Sequence, residues 1–324
     1  MEHIDLTWSA VVNPHAGTGK LLPKWREAED LLRRKGIPCR YMMTDCRYHA
    51  TELAYSAASD GSRKFIAVGG DGTAHEILDG IMHYLSDARL KGEAASLSDF
   101  TLAVIPIGSG NDWIKSHHIP YDVEEVVDMI ASGSFSGQDI VKVTASGGQG
   151  GISGTSFMIN IGGIGLDARI CERVNRQKDA GRSGRLLYVN SLIYNLIHSS
   201  IFRIALLCDG RTVYEGDCLS VAFGIGRYSG GGFLQTPEAV MDDGLLDVTV
   251  IPPLKLHRMP RAALRLADGT FLSQKEVRSF RAGKVEVRPL DGRNDIVEVD
   301  GEITGTVPLT LEVLPDRINV LHRD

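Results

Sequence analysis

A single carboxylate, Asp71, stands among glycines in the run Gly69-Gly70-Asp71-Gly72-Thr73, directly after the apolar residues Phe65 to Val68. Glycines allow φ > 0 and let a ligand approach the main chain closely. The N–H groups of such a turn, at the start of a helix, favour phosphate. An acid placed among them is useful mainly for holding a metal or taking a proton. The arrangement points to a nucleotide-phosphate site with Mg²⁺.

Two other segments repeat the pattern. Gly108-Ser109-Gly110-Asn111-Asp112 follows the apolar run Thr101 to Ile107, and Asn13-Pro14-His15-Ala16-Gly17-Thr18-Gly19-Lys20 follows Trp8 to Val12. In an open parallel sheet, loops after the strands lie along one edge, where ligands bind. Three strand–loop–helix units would thus converge on one crevice. Gly19-Lys20 does not end a P-loop, because Pro14 and Leu21 stand where that motif needs Gly and Ser or Thr. Gly163-x-Gly165-x-x-Ala168 fits a loose dinucleotide pattern. No βαβ unit with a suitably spaced acid follows it, and a tight strand-to-helix turn is the simpler reading.

The elements that must position these loops follow from periodicity. Up to about Asp139, apolar runs alternate with helical stretches at Lys24 to Lys35, Ala50 to Ser59, Ala74 to Leu85 and Val123 to Ser132, the last with Asp122 as its cap. This is α/β organisation with a mainly parallel sheet. After Asp139, short runs such as Ile140 to Thr144, Arg203 to Leu207, Leu219 to Ile225, Leu246 to Ile251 and Ile296 to Val299 predict a β-rich second domain. Asp209-Gly210 and Asp291-Gly292 read as turns, and Ser146 to Gly154 as a hairpin tip.

Composition bounds the function. The chain has 324 residues, 43% hydrophobic and 23% charged, enough for two cores. A net charge of −6 argues against general nucleic-acid binding. Five cysteines without a Cys-x-x-Cys pair read as reduced cytoplasmic thiols, and the first residues show no signal peptide. Leu186 to Phe202 lacks Asp, Glu, Lys and Arg, but it is short for a membrane span and is broken by polar residues. It reads as a buried or half-buried helix, or as one bordering a lipid pocket with Leu192, Leu196 and Phe233 among the apolar walls; both can hold. Arg169, Arg173, Arg176, Lys178, Arg182 and Arg185 face only Glu172 and Asp179, and a second basic stretch runs from Lys255 to Arg265. These could be solvated faces, a surface for anionic lipid, or partners of ATP phosphates. His117-His118 is read as structural.

At this point the chain resembles the diacylglycerol kinase catalytic family, which includes bacterial lipid kinases and sphingosine kinases. The resemblance rests on Asn13 to Gly17, Gly69 to Thr73, Gly108 to Asp112, Asn160-Ile161-Gly162-Gly163-Ile164-Gly165-Leu166-Asp167-Ala168, Met241-Asp242-Asp243-Gly244-Leu245-Leu246-Asp247 and Val299-Asp300-Gly301-Glu302. These stand in family order and cover nearly the whole chain. NAD kinases and phosphofructokinases carry turns like Gly69 to Thr73, but the other loops favour the lipid kinases.

The resemblance implies an α/β nucleotide-binding domain over residues 1–139, a β-rich lipid-substrate domain over 140–316, and a return of about 317–324 to the first. It implies that ATP is held by Asn13, Pro14, Gly17, Thr44, Gly69, Gly70, Asp71, Gly72, Thr73, Glu76, Ser109 and Asn111. Asp71, Asp112 and Asp139 would surround a catalytic Mg²⁺, partly through water. Asp243, with the carbonyls of Val240 and Leu245, would hold a structural Mg²⁺, in a turn that Asp-Gly alone would favour. Glu302 would be the general base, with Asp71 as its competitor. The expected activity is transfer of the γ-phosphoryl group of ATP to a lipid hydroxyl, with diacylglycerol first. A sphingoid base, phosphatidylglycerol or soluble NAD as acceptor, or a nucleotide- or lipid-sensing protein without turnover, are the alternatives. The expected partner is a membrane lipid met peripherally from the cytoplasm, with a homodimer allowed.

Overall fold

The structure is a computed structural model that describes residues 7–16, 21–108, 111–147, 154–179, 191, 194–195, 200–254 and 259–323. The chain divides into two compact units, Met1–Gln138 with Asp316–Asp324, and Asp139–Pro315.

The first unit is built on a six-stranded sheet in the order β2-β1-β3-β4-β19-β5. Its strands are β1 (Trp8–Val12), β2 (Cys39–Met43), β3 (Lys64–Gly69), β4 (Thr101–Pro106), β5 (Phe135–Gln138) and β19 (Ile318–Leu321). β1 to β4 and β19 run parallel, and β5 closes the edge antiparallel to β19. β1, β3 and β4 read as continuous apolar runs because helices cover both faces of a parallel sheet. The helices are α1 (Leu21–Arg34), α2 (His49–Ser59), α3 (Asp71–Leu90), the short α4 (Trp113–Ser116) and α5 (Val123–Ser132). Asp122 caps α5, its carboxylate accepting the Glu125 N–H at 3.0 Å, and Gly133 ends it at φ +74°. α2 and α3 pack closely at Gly80, where a Cβ would lie 2.4 Å from the Thr51 carbonyl oxygen.

The second unit is an extensive antiparallel sheet. Its main path is β10-β9-β16-β18-β17-β8-β11-β14-β15, with β6 added on β18 and β7 on β6. The strands are β6 (Val141–Ser146), β7 (Gly154–Met158), β8 (Ile161–Gly165), β9 (Phe202–Cys208), β10 (Arg211–Cys218), β11 (Ser220–Gly224), β14 (Leu246–Ile251), β15 (Arg278–Ala282), β16 (Lys284–Pro289), β17 (Ile296–Val299) and β18 (Glu302–Val313). A separate small hairpin joins β12 (Tyr228–Ser229) to β13 (Phe233–Leu234). Alternate residues such as Val141, Ile164, Leu206, Val248, Val285 and Leu309 build one core. The turn at Asp209-Gly210 links β9 to β10 with φ of +48° and +77°, the geometry a two-residue hairpin favours. Two described helices accompany the sheet, α6 (Leu166–Asp179) and α7 (Met259–Asp268).

Asp139, counted with the first domain in the sequence, belongs to the second unit. Its N–H donates to the Met241 carbonyl at 2.7 Å, and its carboxylate accepts the Gly244 N–H at 2.6 Å. Gly163 to Ala168 form a strand-to-helix turn, and β8 pairs antiparallel with both neighbours, so no dinucleotide-type βαβ unit exists there.

Candidate active site

The first unit brings the loops after β1, β3 and β4 together. β1 lies between β2 and β3, the point where strand order reverses and ligands bind in such sheets. Asn13 opens a tight turn: its carbonyl accepts the Ala16 N–H at 3.1 Å and its side-chain oxygen the His15 N–H at 3.0 Å, with Pro14 between them. The same side chain donates to the Thr73 hydroxyl at 3.4 Å, joining the first loop to α3. Thr44, buried after β2, donates its N–H to the Val12 carbonyl. Glu76, one turn into α3, accepts the Ala50 N–H at 3.1 Å.

The glycines serve close approach rather than left-handed geometry. Gly69, Gly70 and Gly72 all avoid positive φ. A Cβ on Gly69 would meet the Thr73 hydroxyl at 2.3 Å, and one on Gly108 would lie 2.7 Å from the Gly70 Cα. The two loops thus touch backbone to backbone. Gly72 is different: a Cβ there would meet nothing within 4 Å, so the first turn of α3 opens on free space. The helix N-terminus carries partial positive charge toward that space. Asn111 is buried nearby, its amide donating to the Gly108 carbonyl at 2.9 Å, while its Oδ1 has no hydrogen-bond partner among the described residues. The dipole and the open cradle fit a phosphate-bearing ligand, while the Asn111 oxygen suits a hydrogen-bond donor or a cation.

The expected acids are placed differently from one another. Asp71 is the first residue of α3 and accepts the N–H groups of Asp112 at 2.7 Å and Trp113 at 3.3 Å. Asp112 is buried and pairs with Lys115 at 2.6 Å. Asp139 lies in the second unit, bonded to Gly244. Among the described residues, no cluster of three or more His, Cys, Asp or Glu side chains could hold a metal ion. Asp71 and Asp112 thus belong to the first unit and Asp139 to the second, and each carboxylate has a partner close by. Asp71 and Asp112 remain adjacent, and Mg²⁺ commonly takes only one or two carboxylates besides water. Gly17 and Ser109 lie outside the described residues.

Around Asp243 the structure supplies a different cation. Its Oδ1 accepts the Leu245 N–H at 3.1 Å, and its Oδ2 pairs with the Arg281 guanidinium. The same arginine reaches Asp247 at 3.1 Å, directly across the β14–β15 ladder. Burial pushes the Asp247 carboxyl up, and Arg281 opposes that shift. Each oxygen of Asp243 thus has a partner within the chain, and Arg281 supplies positive charge at the turn where the structural Mg²⁺ is expected with the Val240 and Leu245 carbonyls.

Glu302 is the first residue of β18, after the two-residue turn Asp300-Gly301 with φ of +49° and +90°. Asp300 holds that turn: its carboxylate accepts the N–H groups of Ile159, Asn160 and Ile161 at 2.8, 2.9 and 3.1 Å. The segment beginning at Asn160 therefore clamps the turn before Glu302, a role its sequence alone left unassigned. Beside it lie two buried acids, Asp167 and Glu298. Burial pushes Asp167 up to about 6, partly opposed by Gln235, which donates to it at 3.0 Å. Burial, and then the neighbouring Asp167, push Glu298 well above the usual carboxyl range.

His117 has a packing role. It is buried, its Nε2 donates to the Gln138 Oε1 at 2.6 Å, and its Nδ1 faces His322 at 3.2 Å. Burial pushes it down to about 3, so it stays neutral. On α6, Arg169 pairs with Asp295 and Arg176 with Glu172, while the Arg173 guanidinium lies over Tyr194. The Lys178 side chain, Arg182, Arg185, Leu192, Leu196 and Lys255 fall outside the described side chains. So does most of Leu186 to Phe202. No described helix is long and apolar enough to cross a membrane.

Comparison with known proteins agrees with this geometry. Residues 7–143 match the diacylglycerol kinase catalytic domain, and residues 161–322 match the YegS C-terminal NAD kinase beta sandwich-like domain. A protein of Xanthomonas oryzae named "Probable lipid kinase YegS-like" is 30% identical over 235 residues, 71% of this chain and 69% of that one. A diacylglycerol kinase of Mycobacterium tuberculosis is 24% identical over 97% of this chain and 94% of its own. The crystal structure of a diacylglycerol kinase from Bacillus anthracis shares the fold, with a TM-score of 0.74 at 21% identity, covering 98% of this chain and 97% of the other.

Proposed function

The chain belongs to the diacylglycerol kinase catalytic family and is a lipid kinase, and we propose that it moves the γ-phosphoryl group of ATP to the hydroxyl of a membrane lipid, diacylglycerol first, giving phosphatidic acid. One observation carries this reading: the loops after β1, β3 and β4 meet at the start of α3, with open space over Gly72. The lipid as acceptor is supported by the names of the relatives.

In this transfer the bond from the γ-phosphorus to the ADP oxygen breaks, and one to the lipid oxygen forms. The hydroxyl proton passes to a base. Such chemistry needs positioning and charge neutralisation above all. Asn13, Gly70, Gly72, Thr73 and Asn111 cradle the phosphates, and Thr44 and Glu76 border the rest of the nucleotide. Asp71 and Asp112 would hold Mg²⁺, which when bound would neutralise phosphate charge. Glu302 takes the proton. Asp71 suits that task less, because its oxygens already accept two N–H groups.

A lipid substrate also implies peripheral contact with a membrane. Pelleting with anionic vesicles should weaken with salt, since exposed charges are screened over ~8 Å at physiological ionic strength. The deciding assay offers labelled ATP with diacylglycerol, a sphingoid base, phosphatidylglycerol and NAD in parallel, the lipids in mixed micelles. Label in phosphatidic acid is expected. Label only in NADP, or in no acceptor, would overturn the reading.

A further inference from the structure

Three main-chain polar atoms of the turn Asp300-Gly301 are held by neighbours. The Asp300 N–H donates to the Ile161 carbonyl at 2.9 Å. The Gly301 N–H donates to Glu298 Oε2 at 3.0 Å. On the other side, the Gly301 carbonyl accepts the Asn175 side-chain amide at 2.8 Å and the Cys171 thiol at 2.9 Å, both from α6. One residue, Gly301, is gripped at its N–H from its strand and at its carbonyl from a helix, directly before Glu302.

Glu298 is poorly placed for any task in solvent. It is 6% exposed on β17, opposite Gly163 of β8. Gly163 has no side chain, and a Cβ there would lie 3.0 Å from Asp167 Oδ2. The missing side chain makes room for a carboxyl in the sheet's interior. That Asp167 oxygen is buried without a hydrogen-bond partner in the described residues. Asp167, Asp300 and Glu302 all act on Glu298 with like charge, and the Arg169 guanidinium is paired with Asp295. Two carboxyls buried at such a cost are better explained by a task than by stability.

We infer that Glu298 and Asn175 are positioning residues for the lipid kinase reaction, fixing the Gly301 peptide so that Glu302 is presented in one orientation. The inference rests on the reading of Glu302 as the base. The sequence offers a reason for the residue types. Glu298 must accept an N–H while surrounded by acids, which a neutral carboxyl or an amide oxygen does and an apolar side chain cannot. Asn175 must donate to a carbonyl from a helix face, which its amide does in reach of one turn.

The test compares Glu298→Met, Glu298→Gln and Asn175→Leu with Glu302→Gln, all in the full chain, by steady-state transfer from ATP to diacylglycerol. Glu298→Met and Asn175→Leu should each lower kcat by about 10- to 10²-fold, the scale of a small misplacement of a reacting group, with KM for MgATP unchanged. Glu298→Gln should recover most of the Glu298→Met loss, because its amide oxygen still accepts the Gly301 N–H. A purely structural role would lower the amount of folded protein without splitting kcat from KM. Asn175 is more accessible than Glu298 and keeps the test open if Glu298→Met fails to fold. If Glu302→Gln is inactive while Glu298→Met or Asn175→Leu turns over within twofold of the parent, the positioning role is wrong and the base assignment stands. If Glu302→Gln itself turns over normally, the base assignment falls first. Failure of Glu298→Gln to recover activity overturns the acceptor role of Glu298.

Discussion

Asp71 accepts the main-chain N–H of Asp112 at 2.7 Å across 41 residues of sequence, so one carboxylate fixes the end of the neighbouring loop. That bond also orders the N-terminus of α4 through Trp113. It links two glycine loops whose backbones already touch at Gly70 and Gly108.

Asp71→Asn should therefore cost much more activity than stability. The amide keeps one acceptor oxygen, so the lost bond is worth about 1–3 kcal/mol. Loss of a carboxylate beside Mg²⁺ should lower kcat by about 10²-fold or more. Thermal melting and transfer assays on the same preparation check the pair of outcomes. A loss of melting temperature that matches the loss of activity would count against an active-site role.

The glycines should separate by function. Gly72→Val points its methyls into open space, so the protein should fold and lose MgATP binding by calorimetric titration. Gly108→Ala drives a Cβ to 2.7 Å from the Gly70 backbone and should destabilise by about 1–3 kcal/mol. Unchanged MgATP affinity in folded Gly72→Val would move the phosphates elsewhere.

Arg281 should replace a divalent ion as the brace of the acidic turn. Arg281→Met leaves Asp243 without its ion partner and Asp247, only 3% exposed at its side chain, without its guanidinium. The expected loss is about 2 kcal/mol, moderated because Arg281 is itself partly exposed. Parent protein should melt alike in Mg²⁺ and in EDTA, and Arg281→Met should become sensitive to Mg²⁺. A parent melting temperature that falls in EDTA would restore the structural ion.

Asp167 sets a pH dependence of known sign. Its carboxyl titrates near 6 when folded against an ordinary value of 3.8. Between those values the folded chain keeps a proton that the unfolded chain has lost, so this group's contribution to stability falls as pH rises through the window. Asp167→Asn cannot lose that proton, and its amide can donate toward the Glu298 carboxyl. It should melt above the parent at pH 7, with the gap closing below pH 4. A gap that stays constant from pH 4 to 7 would mean that Asp167 is not held protonated.

The sequence by itself determined the parts with local physical causes. β1, β3 and β4 are legible because a strand covered on both faces must be apolar throughout. α5 is legible from its cap, and the Asp-Gly hairpins from φ > 0 at two positions. The glycine loops were legible as a candidate phosphate site because few other residue patterns leave so much backbone open. Tertiary structure decided the rest, for an equally physical reason: a partner distant in sequence leaves no local periodicity. β2, with its partly exposed Arg40, Tyr41 and Met43, is a strand only because β1 pairs with it. β10 is mostly polar and exists by pairing with β9. Gly69 and Gly108 read in the sequence as openings for a ligand or for positive φ, but the need for them also comes from atoms they nearly touch. The bond from the Gly244 N–H to Asp139, 105 residues apart, likewise had no local signal. Arg281 gave no signal at all before the β14–β15 ladder set it opposite Asp247. Asp300 read as an ordinary hairpin residue until three backbone N–H groups from the Asn160 segment closed on its carboxylate, a geometry that only the folded sheet can bring together.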